Sequence, residues 1–150
     1  MNEFEKNLNN LLVDTFNYIL KYEELALQQI LSVPVTITEA HMIEAVGRNG
    51  DDEMTVGRIA SSLNIAMPTA TVAIKKLEKK GFINKVHCEN DGRRAIVNLT
   101  ETGKKIEKAH RLFHERMVRN ISRQYAVDEK EVLLKSIKTL REFFKEKVET

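Results

Sequence analysis

Apolar side chains recur at Phe4, Leu8, Leu11, Ile19, Tyr22 and Ala26, with Thr15 in step. That is the helical period of about 3.6 residues with one face to bury. The pattern predicts a helix over residues 4 to 31, ended by the approach to Pro34. Thr36 followed by Glu39 is a capping box, hydroxyl and carboxylate satisfying the orphan amides of a helix start, so a second helix is expected from Ile37 to Gly47. GRNGDDEM is turn chemistry. Thr55 then opens a short helix, VGRIASSL, that fades at Asn64, and Pro68 begins another that Gly81 closes.

Beyond Gly81 the period drops to about 2. FINKVHC and RRAIVNL flank the turn signal Asn90-Asp91-Gly92 and predict a two-stranded hairpin. Thr100 with Glu101 starts a long helix with the stripe Ile106, Ala109, Phe113, Met117, Ile121 and Tyr125. Asp128 with Glu131 caps a final helix bearing Leu133, Ile137, Leu140, Phe144 and Val148.

The expected fold class is therefore mostly α with a small β-hairpin wing. Helix, short turn, helix and hairpin over Thr55 to Leu99 is the order of a winged helix-turn-helix, whose second helix enters the major groove of DNA. In PTATVAIKKLEKK the apolar positions Ala70, Ile74 and Leu77 must face the core. The opposite face then presents Thr69, Thr71 and Val72 to base edges and Lys75, Lys76 and Lys79 to phosphates. Arg93 and Arg94 are expected at the hairpin, where guanidinium groups enter a narrow minor groove or fork onto a phosphate.

Composition alters this picture little. The chain has 150 residues, 42 % of them apolar and 31 % charged, as in an ordinary folded protein, and a net charge of +2 forces no nucleic-acid reading. The location of the charge does: Pro68 to Arg94 holds seven Lys or Arg against three acidic residues. No run approaches the ~18 apolar residues that span a bilayer, so a cytosolic protein with no membrane partner is expected. The single cysteine, Cys88, excludes an internal disulfide and suits a reducing compartment. No G-x-S-x-G, phosphate-cradling Gly-rich loop or H-E-x-x-H stands in the chain, so no enzyme is expected.

The helices outside the winged core carry more apolar surface than that core needs. A homodimer accounts for it, with two recognition helices about one DNA turn, ~34 Å, apart on a pseudo-palindromic operator in double-stranded DNA. The division expected within the single chain 1–150 is residues 36–100 for DNA binding and 1–35 with 101–150 for dimerisation. A helical interaction protein that binds no DNA is the alternative, and it leaves Thr69, Thr71 and the two arginines unexplained.

Asp91-x-Arg93, followed by Leu99-Thr100 and Gly103, resembles the wing signature of MarR-family transcription regulators, and the order of elements is similar over essentially the whole chain. The resemblance implies a helical homodimer that represses transcription and answers to a small ligand where dimerisation and DNA-binding parts meet. KAHRLFHERMV and ITEAHMIEAVG are further similar to the fatty-acid-synthesis repressors of that family. This subgroup implies a corepressor in the form of a long acyl chain on acyl carrier protein. Phe16, Ile19, His41, Met42, His110, Phe113, His114 and Met117 are the residues expected around such an effector, although each apolar one is equally a core residue. Zinc or a small aromatic ligand is the alternative effector.

His110 and His114 stand four apart, a spacing that clamps a metal from one helix face. Glu107 and Glu115 nearby look like ordinary surface carboxylates, so packing or a hydrogen bond beside an effector is the expected role, and no metal or other cofactor is expected. Cys88 beside His87 invites a redox reading, but the family's peroxide sensors carry their cysteine near the N-terminus.

Overall fold

The computed structural model describes residues 1–48, 53–88 and 91–149, the side chains of 87, 88, 91–94 and 149 excepted. The middle of the turn expected at GRNGDDEM, the hairpin tip at Asn90, and the side chains of His87, Cys88, Arg93 and Arg94 thus lie outside the described residues.

Eight elements follow one another: α1 (Glu3–Ile30), α2 (Ile37–Gly47), α3 (Val56–Ser62), α4 (Met67–Lys79), β1 (Ile83–Cys88), β2 (Asp91–Leu99), α5 (Glu101–Ser122) and α6 (Val127–Glu149). They form two compact units, Met1–Phe113 and His114–Thr150, with the division falling inside α5. No helix is long and apolar enough among the described residues to cross a membrane.

In the first unit α2 is the central element. Ala40, Met42, Ile43, Ala45 and Val46 are all buried, so this helix shows almost no polar face. Its start is the capping box read from the sequence. The Glu39 amide donates to Thr36 Oγ1 at 3.2 Å, and the Thr36 amide to Glu39 Oε2 at 3.1 Å. Around α2 the core gathers Met54, Ile59, Ile74, Leu77, Phe82, Ile83, Val97 and Ile106 from five other segments. Asn2 and Glu5 form a second capping box at the start of α1, which the sequence reading passed over.

Helix α4 begins one residue ahead of the expected Pro68, with Pro68 in its first turn where a missing amide costs nothing. It ends as Gly81 predicts. Gly81 takes φ +74, its amide bonds to the Glu78 carbonyl at 2.9 Å, and the Phe82 amide reaches back to Leu77 at 3.0 Å. These two bonds close the helix and tuck Phe82 under Leu77.

The wing is a two-stranded antiparallel sheet in which Ile83 pairs with Leu99 and His87 with Ala95. Cys88 pairs with Asp91, so Gly92, Arg93 and Arg94 are extra residues on β2 between two paired positions, an irregularity that increases local twist. The sequence showed no third strand. Among the described residues the sheet has none either, but an isolated bridge ties a further segment to β2: Thr55 pairs with Ile96, and the Val97 amide donates to the Met54 carbonyl at 2.6 Å.

Two expectations near the C-terminus are corrected. Helix α5 stops at Ser122, so Tyr125 lies beyond its stripe. Helix α6 is not capped by Asp128 and Glu131; it starts at Val127, and Glu129 Oε2 accepts the Ala126 amide at 2.7 Å. The carboxylate three residues inside reaches back to the cap, and the frame therefore sits two residues earlier than the Asp-Glu spacing suggested. Along α6, Val127, Val132, Leu134, Ile137, Phe143, Phe144 and Val148 are exposed, as are Phe4, Leu11 and Phe16 on α1.

Candidate nucleic-acid interface

The two faces of α4 separate as its spacing requires. Ala70, Ile74 and Leu77 are at most 1 % exposed, whereas Val72 is 69 % exposed and Thr69, Lys75, Lys76 and Lys79 all lie on the surface. Thr71 is half-buried and its hydroxyl donates to the Met67 carbonyl at 2.9 Å. A convex, methyl- and ammonium-bearing ridge results. It suits a groove whose walls are phosphate and whose floor presents acceptors and thymine methyls.

The lysines are not equivalent. Lys75 and Lys79 carry no ion pair among the described residues. Lys76 Nζ lies 3.2 Å from Glu39 Oε1, and Lys80 Nζ 2.8 Å from Glu39 Oε2. Glu39 is therefore more than a capping residue; it ties the start of α2 to the second half of α4. Burial would raise its carboxyl, but hydrogen bonds from Lys80, the Thr36 amide and Lys76 outweigh burial and hold it below the ordinary carboxylate value.

A second constellation lies on the other side of α2. His110 of α5 is fully buried, and Glu23 of α1 is 1 % exposed. Glu23 Oε1 makes a short contact with His110 Nε2 and lies 3.1 Å from His41 Nε2. On the other edge of the ring, Glu44 Oε2 lies 3.0 Å from His110 Nδ1. Glu44 is also held by Arg48, at 3.0 Å from Nε and 2.6 Å from Nη2. Both imidazole nitrogens thus face carboxylates. His41 meets His110 edge to face, with ring centroids 5.3 Å apart.

Of the residues expected around an effector, the structure brings His41 and His110 together, with Glu23 and Glu44 as partners that sequence reasoning missed. Phe113 is buried and packs edge to face on Tyr22 at 5.1 Å. Met42 is a member of the packed core, Ile19 is half-buried and Phe16 is 56 % exposed. His114 and Met117 are half-buried residues of the second unit. A cleft of about 440 Å³ lined by Leu20, Lys21, Glu24, Ile37, Thr38 and His41 opens beside the histidine pair.

Two helices set at a tight turn, a hairpin behind them and a ridge of exposed α4 side chains define a winged helix-turn-helix protein. Residues 35–95 match the model of the MarR family. That match covers the winged core, and the fold around it is similar to that of MarR-family regulators. The chain is similar to FabT of Streptococcus pneumoniae, solved in complex with DNA, at 29 % identity with a TM-score of 0.88, covering 95 % of this chain and 98 % of that one. It is also similar to a zinc-responsive family member, ZitR of Lactococcus lactis, at 25 % identity and TM-score 0.64, covering 91 % and 99 %. The HTH-type transcriptional regulator YhjH of Bacillus subtilis is 28 % identical over 82 residues, 55 % of this chain and 46 % of that protein. The matched stretches span about half the length of these curated relatives.

Proposed function

We propose that the chain is a homodimeric DNA-binding transcription repressor that controls fatty-acid synthesis genes, with a long acyl chain on acyl carrier protein as corepressor. The carrying observation is the surface of α4, where Val72, Lys75 and Lys79 are exposed opposite a face that is wholly buried. Thr69 and Val72 meet bases, Lys75 and Lys79 meet phosphates, and Arg93 and Arg94 on the wing reach the adjoining backbone or minor groove. The unburied apolar side chains of α1 and α6 support a second copy as partner. Likeness to FabT, solved in complex with DNA, over nearly the full chain supports the DNA-binding reading, and the lipid reading rests on the resemblance of KAHRLFHERMV and ITEAHMIEAVG to fatty-acid-synthesis repressors. The ligand acts by favouring one separation of the two recognition helices over another, in proportion to its differential affinity for the two states.

One observation favours a second effector. The donor atoms of Glu23, His41 and His110 all lie within 4.8 Å of one another. Two imidazole nitrogens and a carboxylate oxygen are a zinc ligand set with a position left open, and Glu44 Oε2, 3.0 Å from His110 Nδ1, stands where an outer carboxylate would. Zinc would supply charge that draws α1, α2 and α5 onto one point. In this reading the cluster answers to zinc, as ZitR is described to do.

Gel-shift binding to promoter regions of fatty-acid synthesis genes tests both, run with long-chain acyl carrier protein, with zinc, and with neither. Tighter retention with the acylated carrier supports the lipid reading. Response to zinc alone, abolished in His110→Leu, moves the assignment to zinc, and no retention under any condition rejects the repressor.

A further inference from the structure

Glu39 sits beneath the DNA-facing helix with a lysine on each oxygen. Its side chain is 7 % exposed, and it accepts Lys80 at 2.8 Å and faces Lys76 at 3.2 Å. Lys80 is lodged, with its Nζ also 3.5 Å from the Pro34 carbonyl and 5.8 Å from the centre of the Phe82 ring. Lys76 differs. Its side chain is 61 % exposed, it borders the ridge of Val72, Lys75 and Lys79, and yet its ammonium turns to the buried carboxylate.

We infer that Glu39 withholds Lys76 from DNA, and so sets how many phosphate contacts the recognition helix makes. The inference rests on the DNA-binding function proposed above. If Lys76 left for a phosphate, Glu39 Oε1 would stay buried without that partner, a cost a solvated phosphate contact does not return. The ion pair therefore persists in the complex. Affinity for DNA of any sequence is carried by lysines and arginines on phosphates, whereas bases are read by short side chains at the start of the helix. Removing one lysine per copy from the phosphate set lowers binding to every sequence alike and leaves base reading untouched.

The test is the salt dependence of binding, over about 50 to 200 mM, to a duplex selected by the wild-type protein from a random pool and to an unrelated duplex. Glu39→Gln keeps a side chain able to cap α2 but removes the charge that holds Lys76. The expected result is several-fold tighter binding to both duplexes and a log–log slope steeper by ~0.9 for each copy bound. Lys76→Gln in the wild-type background leaves the slope unchanged, and in the Glu39→Gln background it removes the increase. A role limited to holding the helix in place predicts the opposite sign, weaker binding to both duplexes in Glu39→Gln.

A Lys76→Gln variant whose slope falls by ~0.9 per copy in the wild-type background overturns the inference. Because Lys76 is a surface side chain, that measurement decides the matter even if Glu39→Gln fails to fold. If wild type selects a duplex but Glu39→Gln leaves the slope unchanged, the inference falls and the DNA-binding function stands. A wild-type protein that retains no duplex at any salt overturns both.

Discussion

Gly103 lies so close to Phe82 that a Cβ on it would overlap the Phe82 carbonyl oxygen. The same carbonyl accepts the Thr100 amide at 3.1 Å, Thr100 Oγ1 donates to the Gly81 carbonyl at 2.7 Å, and the Gly103 amide donates to Thr100 Oγ1 at 3.1 Å. The first turn of α5 is thereby fastened to the turn that closes α4. Gly103→Ala must push this backbone apart, and the obstacle is a peptide group rather than a side chain that can swing away. A loss at the upper end of ~1–3 kcal/mol is expected, read as a fall of several degrees in Tm. An unchanged Tm would mean that the α4–α5 approach is looser than these contacts imply.

This junction shows what a sequence discloses and what it hides. Gly103 and Thr100 stand out as parts of a familiar wing signature, but the reason for a glycine there is a carbonyl 21 residues earlier in the chain, and no local pattern points to it. Local chemistry was legible: the Thr36–Glu39 box, the helix stop at Gly81 and the buried Ala70, Ile74 and Leu77 were all expected from residue type and spacing. Long-range partners were not. His110 looked poor in nearby carboxylates because Glu107 and Glu115 were the ones in view, whereas Glu23 is 87 residues away and Glu44 lies on another helix. Glu39 read as a cap and nothing more, since a capping box already accounts for its carboxylate.

The Glu23–His110 contact is expected to be costly to break from one side. His110→Leu leaves the buried Glu23 carboxylate with His41 as its remaining imidazole, a loss of about 3 kcal/mol in denaturant unfolding. Glu44 retains Arg48 and so contributes less to that loss. Glu23→Leu is expected to cost a comparable amount, and the double substitution less than the sum, because both changes remove the same contact. Additive losses would show that the two side chains do not act as a pair.

Acid should weaken the tie between α2 and α4. The Glu39 carboxyl is held below its ordinary value of 4.5, burial opposing this and the bonds from Lys80, Thr36 and Lys76 prevailing. Its ionised form is favoured in the folded state. The stabilisation is thus complete above about 4.5 and is lost as pH falls from there through the lowered value. Glu39→Gln carries no such proton linkage. The difference in unfolding free energy between wild type and variant should shrink as pH drops below about 4.5 and stay constant above pH 6 or so. A difference independent of pH would remove the ion pair from the account.

Lys75 and Arg93 provide the remaining test, because they lie on different elements. Lys75 projects from the exposed ridge of α4; Arg93 belongs to the extra residues of β2 between two paired positions of the wing. If each meets a phosphate or the minor groove, Lys75→Ala and Arg93→Ala should weaken binding to selected and unrelated duplexes alike. Each lost phosphate contact lowers the salt slope by ~0.9, and the two effects add, because the contacts share no partner. Arg93→Ala carries one further consequence. Loss of a guanidinium from a narrow minor groove is felt most on A·T-rich flanks, where that groove is narrowest and most negative. Replacing an A·T-rich flank with G·C should therefore weaken the wild type more than Arg93→Ala. Equal sensitivity of both proteins to the flank would confine Arg93 to a phosphate, and an unchanged slope would take the wing out of the interface.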